Sequence, residues 1–207
     1  FIDEKGNYLY GDRILALVTR EMLRENNGGL IVTTVASSLA LGDVTRDNNG
    51  KIIFTKVGSP IVARKMMETK ALFGGEENGG LIFPEHQFCR DGGMAAAKVV
   101  EIAAKCGKTL SELIAQLPKY HLYKTKVQCP HEKKEPALKE FAGRMEGKEI
   151  DDTDGVKILM ERAWVLVRPS GTEPIYRIFA EADEPEKAKE IAQENKRIIE
   201  EIIENIR

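Results

Sequence analysis

The sequence predicts two domains of different fold class: an α/β domain with helices on both faces of a mixed or parallel sheet, then a smaller α+β domain with an antiparallel sheet. Two observations lead to this prediction. Strand-like and helix-like segments alternate as far as Leu117, and such alternation is typical of parallel α/β layers. Beyond Pro118 the strand-like segments cluster between two helices, which is typical of α+β domains.

The α/β domain is expected to open with an amphipathic helix. Between Gly11 and Asn26 the apolar residues fall on one broad stripe, and a pair of glycines ends the segment. Pro60 lies in the first turn of the third expected helix, and Asp91 is the expected N-cap of the fourth. The other elements predicted here are strands at 30–35, 52–55, 72–73 and 81–83 and helices at 37–47, 59–70, 91–106 and 111–117.

The second domain is expected to combine several strands with two helices. Strands are predicted at 122–129, 156–160, 164–168 and 175–182, and helices at about 136–145 and at 185–207. The last of these helices is long and rich in isoleucine. A hairpin turn is predicted at 151–155.

The predicted boundaries are residues 1–10 for the end of a preceding domain, 11–117 for the α/β domain and 118–207 for the α+β domain. Residue 1 is Phe rather than Met, and residues 1–10 read as two short strands around a turn at 3–7. The chain is therefore expected to begin inside a larger protein.

Charge and composition argue against nucleic acid and membranes as partners. Lys and Arg total 31 and Asp and Glu total 33, so the net charge of −2 offers no basic surface for nucleic acid or an anionic membrane. The apolar runs are much shorter than the ~20 residues of a membrane-spanning helix, and no signal peptide is recognisable. These features predict a cytoplasmic protein. Cys89, Cys106 and Cys129 fit neither a disulfide framework nor a zinc site and are predicted to be buried thiols.

The strongest local signal is the heptapeptide from Arg168 to Pro174, which directly follows a predicted strand. A phosphate dianion is bound well by a guanidinium fork, hydroxyl donors and inward-facing backbone N–H groups, and a glycine lets the chain form such a concavity. The candidate phosphate-binding residues are Arg168, Ser170, Gly171, Thr172 and, on the next strand, Arg177. Glu173 is expected to orient an arginine, since two anions repel each other. An ordinary hairpin turn would have the same composition.

Two further loops could bind a sugar. In the glycine-flanked segment 75–80, the Glu76 carboxylate and the Asn78 amide can point to the same side and bridge neighbouring hydroxyls. The segment 56–60 could offer backbone N–H groups around Gly58 and Ser59. The alternatives are a solvated acidic turn for the first loop and a helix N-terminus capped by Ser59 for the second.

No metal site is predicted in this chain. Residues 151–155 resemble the start of a calcium loop, but Arg162 stands where the twelfth-position glutamate would be. Glu85, His86 and Cys89 lack a second ligand pair at zinc spacing.

Together and in this order, the loops resemble those of the α-D-phosphohexomutase family, which includes phosphomannomutase/phosphoglucomutase and phosphoglucosamine mutase. Residues 56–60 resemble the family's Val-Gly loop, and residues 75–80 its Gly-Glu-x-Ser-Gly-His sugar loop. Arg90-Asp91-Gly92 resembles the family's Arg-Asp-Gly helix entry. Residues 168–174 match its Arg-Pro-Ser-Gly-Thr-Glu-Pro phosphate loop in full.

The resemblance implies that this chain is the C-terminal half, the third and fourth domains, of a four-domain mutase. Such enzymes pass a phosphate between C1 and C6 of a hexose phosphate through a hexose 1,6-bisphosphate. Their phosphoserine and Mg²⁺ ligands belong to the first two domains, so the resemblance places the Mg²⁺ ligands outside this chain. It also implies that Glu76 and Asn78 hold sugar hydroxyls while the loop at 168–174 holds the phosphate that is not reacting. The chain alone is expected to be inactive.

Two departures from the family pattern leave the sugar open: Asn78 replaces the family's serine and Gly80 its histidine. Mannose and glucose phosphates are the first expectation, glucosamine phosphate the second, and a pentose phosphate remains an alternative. A function of a different class, a stand-alone sugar-phosphate-binding module, is also open.

Overall fold

The computed structural model describes residues 1–206, and the chain divides into two compact units, Phe1–Lys119 and the residues from Tyr120 onward. The first unit contains a mixed five-stranded sheet with helices, and the second an antiparallel five-stranded sheet. The predicted fold class is therefore confirmed. Among the described residues, no helix combines the length and the apolar character needed to cross a bilayer.

The sheet of the first unit has the strand order β2-β1-β3-β4-β5. The first three strands are parallel, whereas β4 and β5 are antiparallel to their neighbours. The carboxyl ends of the parallel strands meet at one edge, and ligands of α/β sheets usually bind at such an edge. The strands are β1 (Gly29–Thr34), β2 (Gly50–Thr55), β3 (Phe73–Gly75), β4 (Leu81–Phe83) and β5 (Gln87–Arg90).

Helices cover both faces of this sheet. One buried cluster joins Phe73 to four helices, α1, α2, α4 and α5, and a second cluster joins Val32 and Ile82 to α3. The strands alternate their side chains between these two clusters, as a sheet covered on both faces requires. The helices are α1 (Gly11–Glu25), α2 (Leu39–Asp47), α3 (Ser59–Thr69), α4 (Gly92–Cys106) and α5 (Leu110–Ala115).

One strand of the first unit was not predicted, and two local predictions differ from the structure. Strand β5 was not predicted, because all four of its residues are exposed and it has no buried alternation to signal it. Residues 1–10 form one isolated bridge between Ile2 and Tyr8 rather than two strands. Of the cysteines, Cys129 is buried, but Cys89 on β5 and Cys106 at the end of α4 are exposed.

The second unit packs two helices on one face of an antiparallel sheet of order β6-β10-β9-β8-β7. Tyr176 and Ile178 of the sheet share a buried cluster with Phe141 and Ile199 of the helices. The strands are β6 (His121–Gln128), β7 (Ile150–Asp151), β8 (Val156–Met160), β9 (Ala163–Pro169) and β10 (Ile175–Ala182), and the helices are α6 (His131–Arg144) and α7 (Pro185–Asn205).

Two elements of the second unit differ from the prediction. Helix α6 begins five residues before Pro136, which lies inside it. Proline usually marks a first turn, because inside a helix it removes an N–H donor and its ring crowds the carbonyl four residues earlier. Pro136 is nevertheless accommodated inside α6, where it is exposed. The two-residue strand β7 was not predicted, although the hairpin turn after it is confirmed: Thr153 N donates to Asp151 Oδ1 at 2.9 Å, and Gly155 has a φ of 89°.

The sheet face opposite the helices contains a buried lysine. Lys157 Nζ lies 4.4 Å from the centroid of the Trp164 ring, and Trp164 Nε1 donates to Glu181 Oε2 at 3.0 Å. Burial lowers the pKa of Lys157 to about 8, against the opposing effect of the nearby Asp151 and Glu181 carboxylates. A charged ammonium is therefore poorly solvated at this position.

Lys157→Met should remove a pH dependence of stability. Because the folded-state pKa of Lys157 is near 8 and the ordinary value is 10.5, the unfolded chain binds more protons between these values. The free energy of unfolding of the wild type should therefore rise between about pH 8 and about pH 10.5, by up to roughly 1 kcal/mol per pH unit. Below this window the destabilisation caused by burying the charged lysine is fully present, and Lys157→Met should lack the rise. Urea denaturation at several pH values measures the rise. Lys139→Met, at an exposed lysine on α6, should keep the wild-type slope, and an equal slope in both variants would contradict the assignment.

Candidate functional site

The loop between β3 and β4 is a tight turn closed by its own main chain. Glu76 N donates to Gly80 O at 3.0 Å, and Gly79 N donates to Glu76 O at 3.0 Å. The Asn78 side chain accepts a hydrogen bond from Gly80 N through Oδ1 at 3.0 Å. Asn78 is exposed, and its Nδ2 group donates to no described residue. The amide N–H₂ is therefore available to an acceptor outside the chain.

The Glu76 carboxylate joins this loop to the loop after β2. Gly58 N donates to Glu76 Oε1 at 3.0 Å, and Arg90 Nη1 lies 3.5 Å from Glu76 Oε2. Glu76 is only 2% exposed, whereas the Arg90 side chain is 47% exposed. A sugar hydroxyl can reach this carboxylate only if Arg90 or the loop moves.

Gly58 rather than Ser59 occupies the N-cap of α3. Gly58 has a φ of 140°, and no side chain caps the helix. The alternative in which Ser59 caps this helix is therefore wrong. Positive φ of this kind is open to glycine at little cost, so the sequence places a glycine where the Glu76 carboxylate needs a main-chain donor.

Two more glycines are required by close packing around the sugar loop. A side chain at Gly11, the first residue of α1, would collide with the main chain of Asn78 and Gly79. A side chain at Gly80 would collide with the aliphatic part of Arg90. Gly80 stands where the resemblance expects a histidine, and Arg90 fills the space next to it.

Buried hydroxyls hold the three parallel strand ends together. Thr33 Oγ1 donates to Gly75 O at 2.8 Å and lies 2.6 Å from Ser37 Oγ. Thr55 Oγ1 lies 3.2 Å from Thr33 O. No sequence motif marks these residues, and the only signal for them is that hydroxyl side chains recur at the ends of β1 and β2.

Asp91 caps α4 as predicted. Its Oδ1 accepts from Met94 N at 2.8 Å, while Oδ2 lies 2.9 Å from Gln87 Nε2 and 3.1 Å from His86 Nε2. The main-chain bond from Met94, followed by the His86 contact, lowers the pKa of the Asp91 carboxyl below its ordinary value. The Arg90-Asp91-Gly92 segment thus directs an arginine to the sugar loop while its aspartate starts a helix.

In the second unit, the predicted phosphate loop connects β9 to β10. Ser170 N donates to Ile175 O at 2.9 Å, and Ile175 N donates to Glu173 O at 2.8 Å. Ser170 Oγ accepts from Glu173 N at 3.2 Å. The N–H groups of Gly171 and Thr172 have no hydrogen-bond partner among residues 1–206, and both residues are exposed.

Gly171 is not needed for the backbone conformation of this loop. Its φ is not positive, and a Cβ added there would meet no atom within 4 Å. The expectation that this glycine creates the concavity is wrong on this point. Its lack of a side chain instead leaves the outer surface of the loop bare.

Two arginines lie side by side next to the loop. Arg168 on β9 and Arg177 on β10 are directly opposite in the antiparallel register, a placement that is unfavourable for like charges. Arg168 Nε lies 2.9 Å from Asp154 Oδ2, and Arg177 Nη2 pairs with Glu173 Oε2. Glu173 therefore orients an arginine, as expected. The Arg168 Nε atom is buried and, although Asp154 lies close to it, forms no hydrogen bond with correct geometry among the described residues.

Comparison with known protein families identifies both units. A model described as phosphoglucomutase/phosphomannomutase α/β/α domain III matches residues 10–120, and a model of the C-terminal domain of the same family matches residues 125–198. The chain belongs to the phosphoglucomutase/phosphomannomutase family. The family resemblance inferred from the four loops is confirmed.

Two relatives show the range of names within the family. The chain is 50% identical over 205 residues to a phosphoglucomutase/phosphomannomutase of Thermococcus kodakarensis, and the match covers 98% of this chain and 45% of that protein. It is 38% identical over 209 residues to a "Probable phosphoglucosamine mutase" of Methanopyrus kandleri, covering 100% of this chain and 46% of that protein. The chain thus spans a little under half the length of these relatives.

Two solved structures share the fold. A family protein from Burkholderia thailandensis has a TM-score of 0.85 at 24% identity, with 100% of this chain and 44% of that chain covered. An N-acetylphosphoglucosamine mutase from Aspergillus fumigatus, crystallised with GlcNAc-6P and magnesium, has a TM-score of 0.70 at 16% identity, covering 98% and 46%. At these identities the likeness concerns the fold alone.

The part of this family member that the structure describes contains no group of three or more His, Cys, Asp or Glu side chains that could hold a metal ion.

Glu76→Ala should destabilise the first unit. The substitution leaves the half-buried Gly58 N–H without its acceptor and Arg90 without its ion pair, and a hydrogen bond to a charged group contributes about 1.5–3 kcal/mol. Denaturant unfolding measures the loss. Glu85→Ala, at an exposed turn residue, is the control and should unfold like wild type. An unchanged stability of Glu76→Ala would show that this carboxylate does not hold the two loops together.

Proposed function

We propose that this chain is the substrate-binding half of a phosphohexomutase, in which the loop at 168–174 binds a phosphate and the loops around Glu76 and Asn78 bind sugar hydroxyls. The full protein would transfer phosphate between C1 and C6 of a hexose phosphate through a hexose 1,6-bisphosphate. Its phosphoserine and Mg²⁺ ligands would lie in the N-terminal domains of the same protein. Those domains are then partners of this chain, and the place of action is the cytoplasm.

The observation that carries the phosphate assignment is the polarity of the loop. The acceptors Ser170 O, Ser170 Oγ and Glu173 O all receive hydrogen bonds from within the unit. The Gly171 and Thr172 N–H groups donate to no acceptor among the described residues. A loop whose Ser170 and Glu173 oxygens are bonded within the unit, and whose two N–H donors face solvent, suits an anion.

The arginines add charge to this site in a fixed orientation. Asp154 lies 2.9 Å from Arg168 Nε, and the two Nη groups of Arg168 would make a bidentate contact with phosphate oxygens. Arg177 would reach the same anion once its pairing with the exposed Glu173 is exchanged. Because each arginine has a carboxylate partner, fixed donors rather than net charge would provide much of the affinity.

The sugar-binding part of the proposal rests on exposure. Asn78 offers its amide donor directly, whereas Glu76 is buried and would contact a hydroxyl only after Arg90 moves. Gly58 and Ser59, at the start of α3, are half-buried beside this carboxylate. Neutral hydroxyls match this mixture of one amide and one already paired carboxylate better than a second phosphate would.

The name of the relative with 50% identity favours glucose and mannose phosphates as substrates, and the name of the relative with 38% identity makes glucosamine phosphate the second choice. A pentose phosphate has no support from the relatives reported above. Assays of the full-length protein with glucose 1-phosphate, mannose 1-phosphate and glucosamine 1-phosphate separate these substrates.

Phosphate binding should be visible in the chain of residues 1–207. Titration with glucose 1-phosphate should shift the NMR amide signals of Ser170, Gly171 and Thr172, and Arg168→Ala should weaken this response. Arg168→Lys should restore it only in part, because an ammonium cannot reproduce the bidentate guanidinium contact. If these amides do not respond at millimolar ligand while signals elsewhere shift, the phosphate site lies outside this loop.

The chain of residues 1–207 should show no mutase turnover by itself, because the proposed phosphoserine and Mg²⁺ ligands are outside it. Adding the N-terminal half of the full protein should produce Mg²⁺-dependent conversion of glucose 1-phosphate. If the isolated chain binds sugar phosphates and the complete protein shows no turnover with any of the sugars above, the function is that of a sugar-phosphate-binding module.

A further inference from the structure

A buried lysine on α6 lies behind the phosphate loop. Lys134 is 8% exposed, and its Nζ donates to Ser170 O at 2.6 Å and to Glu173 O at 2.6 Å. The third neighbour of this ammonium is His131 Nδ1 at 3.4 Å. No motif in the sequence marks Lys134, which is separated from the loop by more than thirty residues along the chain.

The two carbonyls that Lys134 binds determine which way the loop donors face. A trans peptide group is planar, so its C=O and N–H point in opposite directions. When Ser170 O points toward Lys134, the N–H of Gly171 in the same peptide group must point away from it. That direction is the exposed side of the loop, where Gly171 N has no partner among residues 1–206. The other peptide group, between Glu173 and Pro174, carries no N–H because residue 174 is a proline, so its orientation exposes no donor.

We infer that Lys134 is the positioning residue of the phosphate site: it holds the Ser170–Gly171 peptide group so that the Gly171 N–H faces the anion. This inference rests on the proposed phosphate-binding function of the loop. Lys134 itself does not touch the ligand. Its buried charge lies behind the loop and adds a positive potential that an anion on the other side would feel, since electrostatic effects are weakly screened where water is excluded.

The position of Lys134 is itself fixed from two sides. Tyr176 Oη donates to the main-chain oxygen of Lys134, and Cys129 N donates to Pro174 O at 2.8 Å. The first contact ties the start of α6 to strand β10, and the second ties the segment before α6 to the end of the loop. The lysine thus has a rigid base from which to hold the loop.

The same helix provides a matched control. Lys133, the preceding residue, also donates to two main-chain oxygens, Ile203 O at 3.2 Å and Ile206 O at 2.6 Å. These acceptors lie at the end of α7 and not in the loop. Lys133→Met therefore removes the same kind of side chain and the same number of carbonyl contacts without affecting the peptide group at Gly171.

The test compares Lys134→Met, Lys134→Gln and Lys133→Met in the chain of residues 1–207, with inorganic phosphate and glucose 1-phosphate as ligands. We expect Lys134→Met to weaken the binding of both ligands by about tenfold or more, since a hydrogen bond to a charged group contributes on the order of 1.5–3 kcal/mol. The Gly171 amide signal should already be displaced in the ligand-free Lys134→Met variant. Lys134→Gln, which keeps one donor, should recover part of the affinity, and Lys133→Met should bind like wild type.

The outcomes separate this inference from the proposed function. If wild type binds neither ligand at this loop, the proposed function fails. If wild type binds and both Lys134 variants bind equally well, the loop binds phosphate without Lys134 and the inference is overturned. If the effect were a general loss of packing, Lys133→Met would weaken ligand binding as much as Lys134→Met does. That result would also overturn the inference about Lys134. Should Lys134→Met fail to fold, the affinity and Gly171 signal of Lys134→Gln decide the question.

Discussion

In each unit, a buried charge that bonds to main-chain groups fixes the candidate loop. Glu76 accepts the Gly58 N–H in the first unit, and Lys134 donates to Ser170 O and Glu173 O in the second. Removing a charge from water is costly unless its partners are all present. A loop that moved away would leave such a charge without its partners, so the charge restricts the loop to conformations that keep them.

The signs of these two charges give the two loops opposite properties. A buried carboxylate takes up donors, here the Gly58 N–H, and in these loops the amide of Asn78 is exposed. A buried ammonium consumes acceptors, so the loop held by Lys134 presents donors to solvent. The first pattern suits neutral hydroxyls and the second suits an anion. The division between sugar and phosphate in the proposed function thus follows from which charge is buried behind each loop.

The fold class could be predicted because strand and helix periodicities are local, and the four loops could be found because their residues are contiguous. Strand β5 lacks any buried alternation, and the start of α6 is obscured by Pro136, so local patterns missed both. The residues that orient the loops could not be predicted for a different reason. Lys134 meets its acceptors 36 and 39 residues further along the chain, and Glu76 meets Gly58 across 18 residues. Only the folded topology brings such partners together.

The glycines of these loops look alike in sequence and have different physical roles. Gly58 and Gly79 adopt positive φ, whereas Gly80 is required because Arg90 lies against it and Gly171 meets neither constraint. The case of Gly80 bears on substrate choice. Where the family resemblance expects an imidazole, this chain has a guanidinium that reaches the same loop from β5 and pairs with Glu76. An imidazole can exchange its donor and acceptor roles, whereas a guanidinium only donates. On the proposed function, a sugar beside Asn78 therefore meets a permanent cation, and its preferred hydroxyl pattern depends on the Gly80 and Arg90 pair rather than on the loop alone.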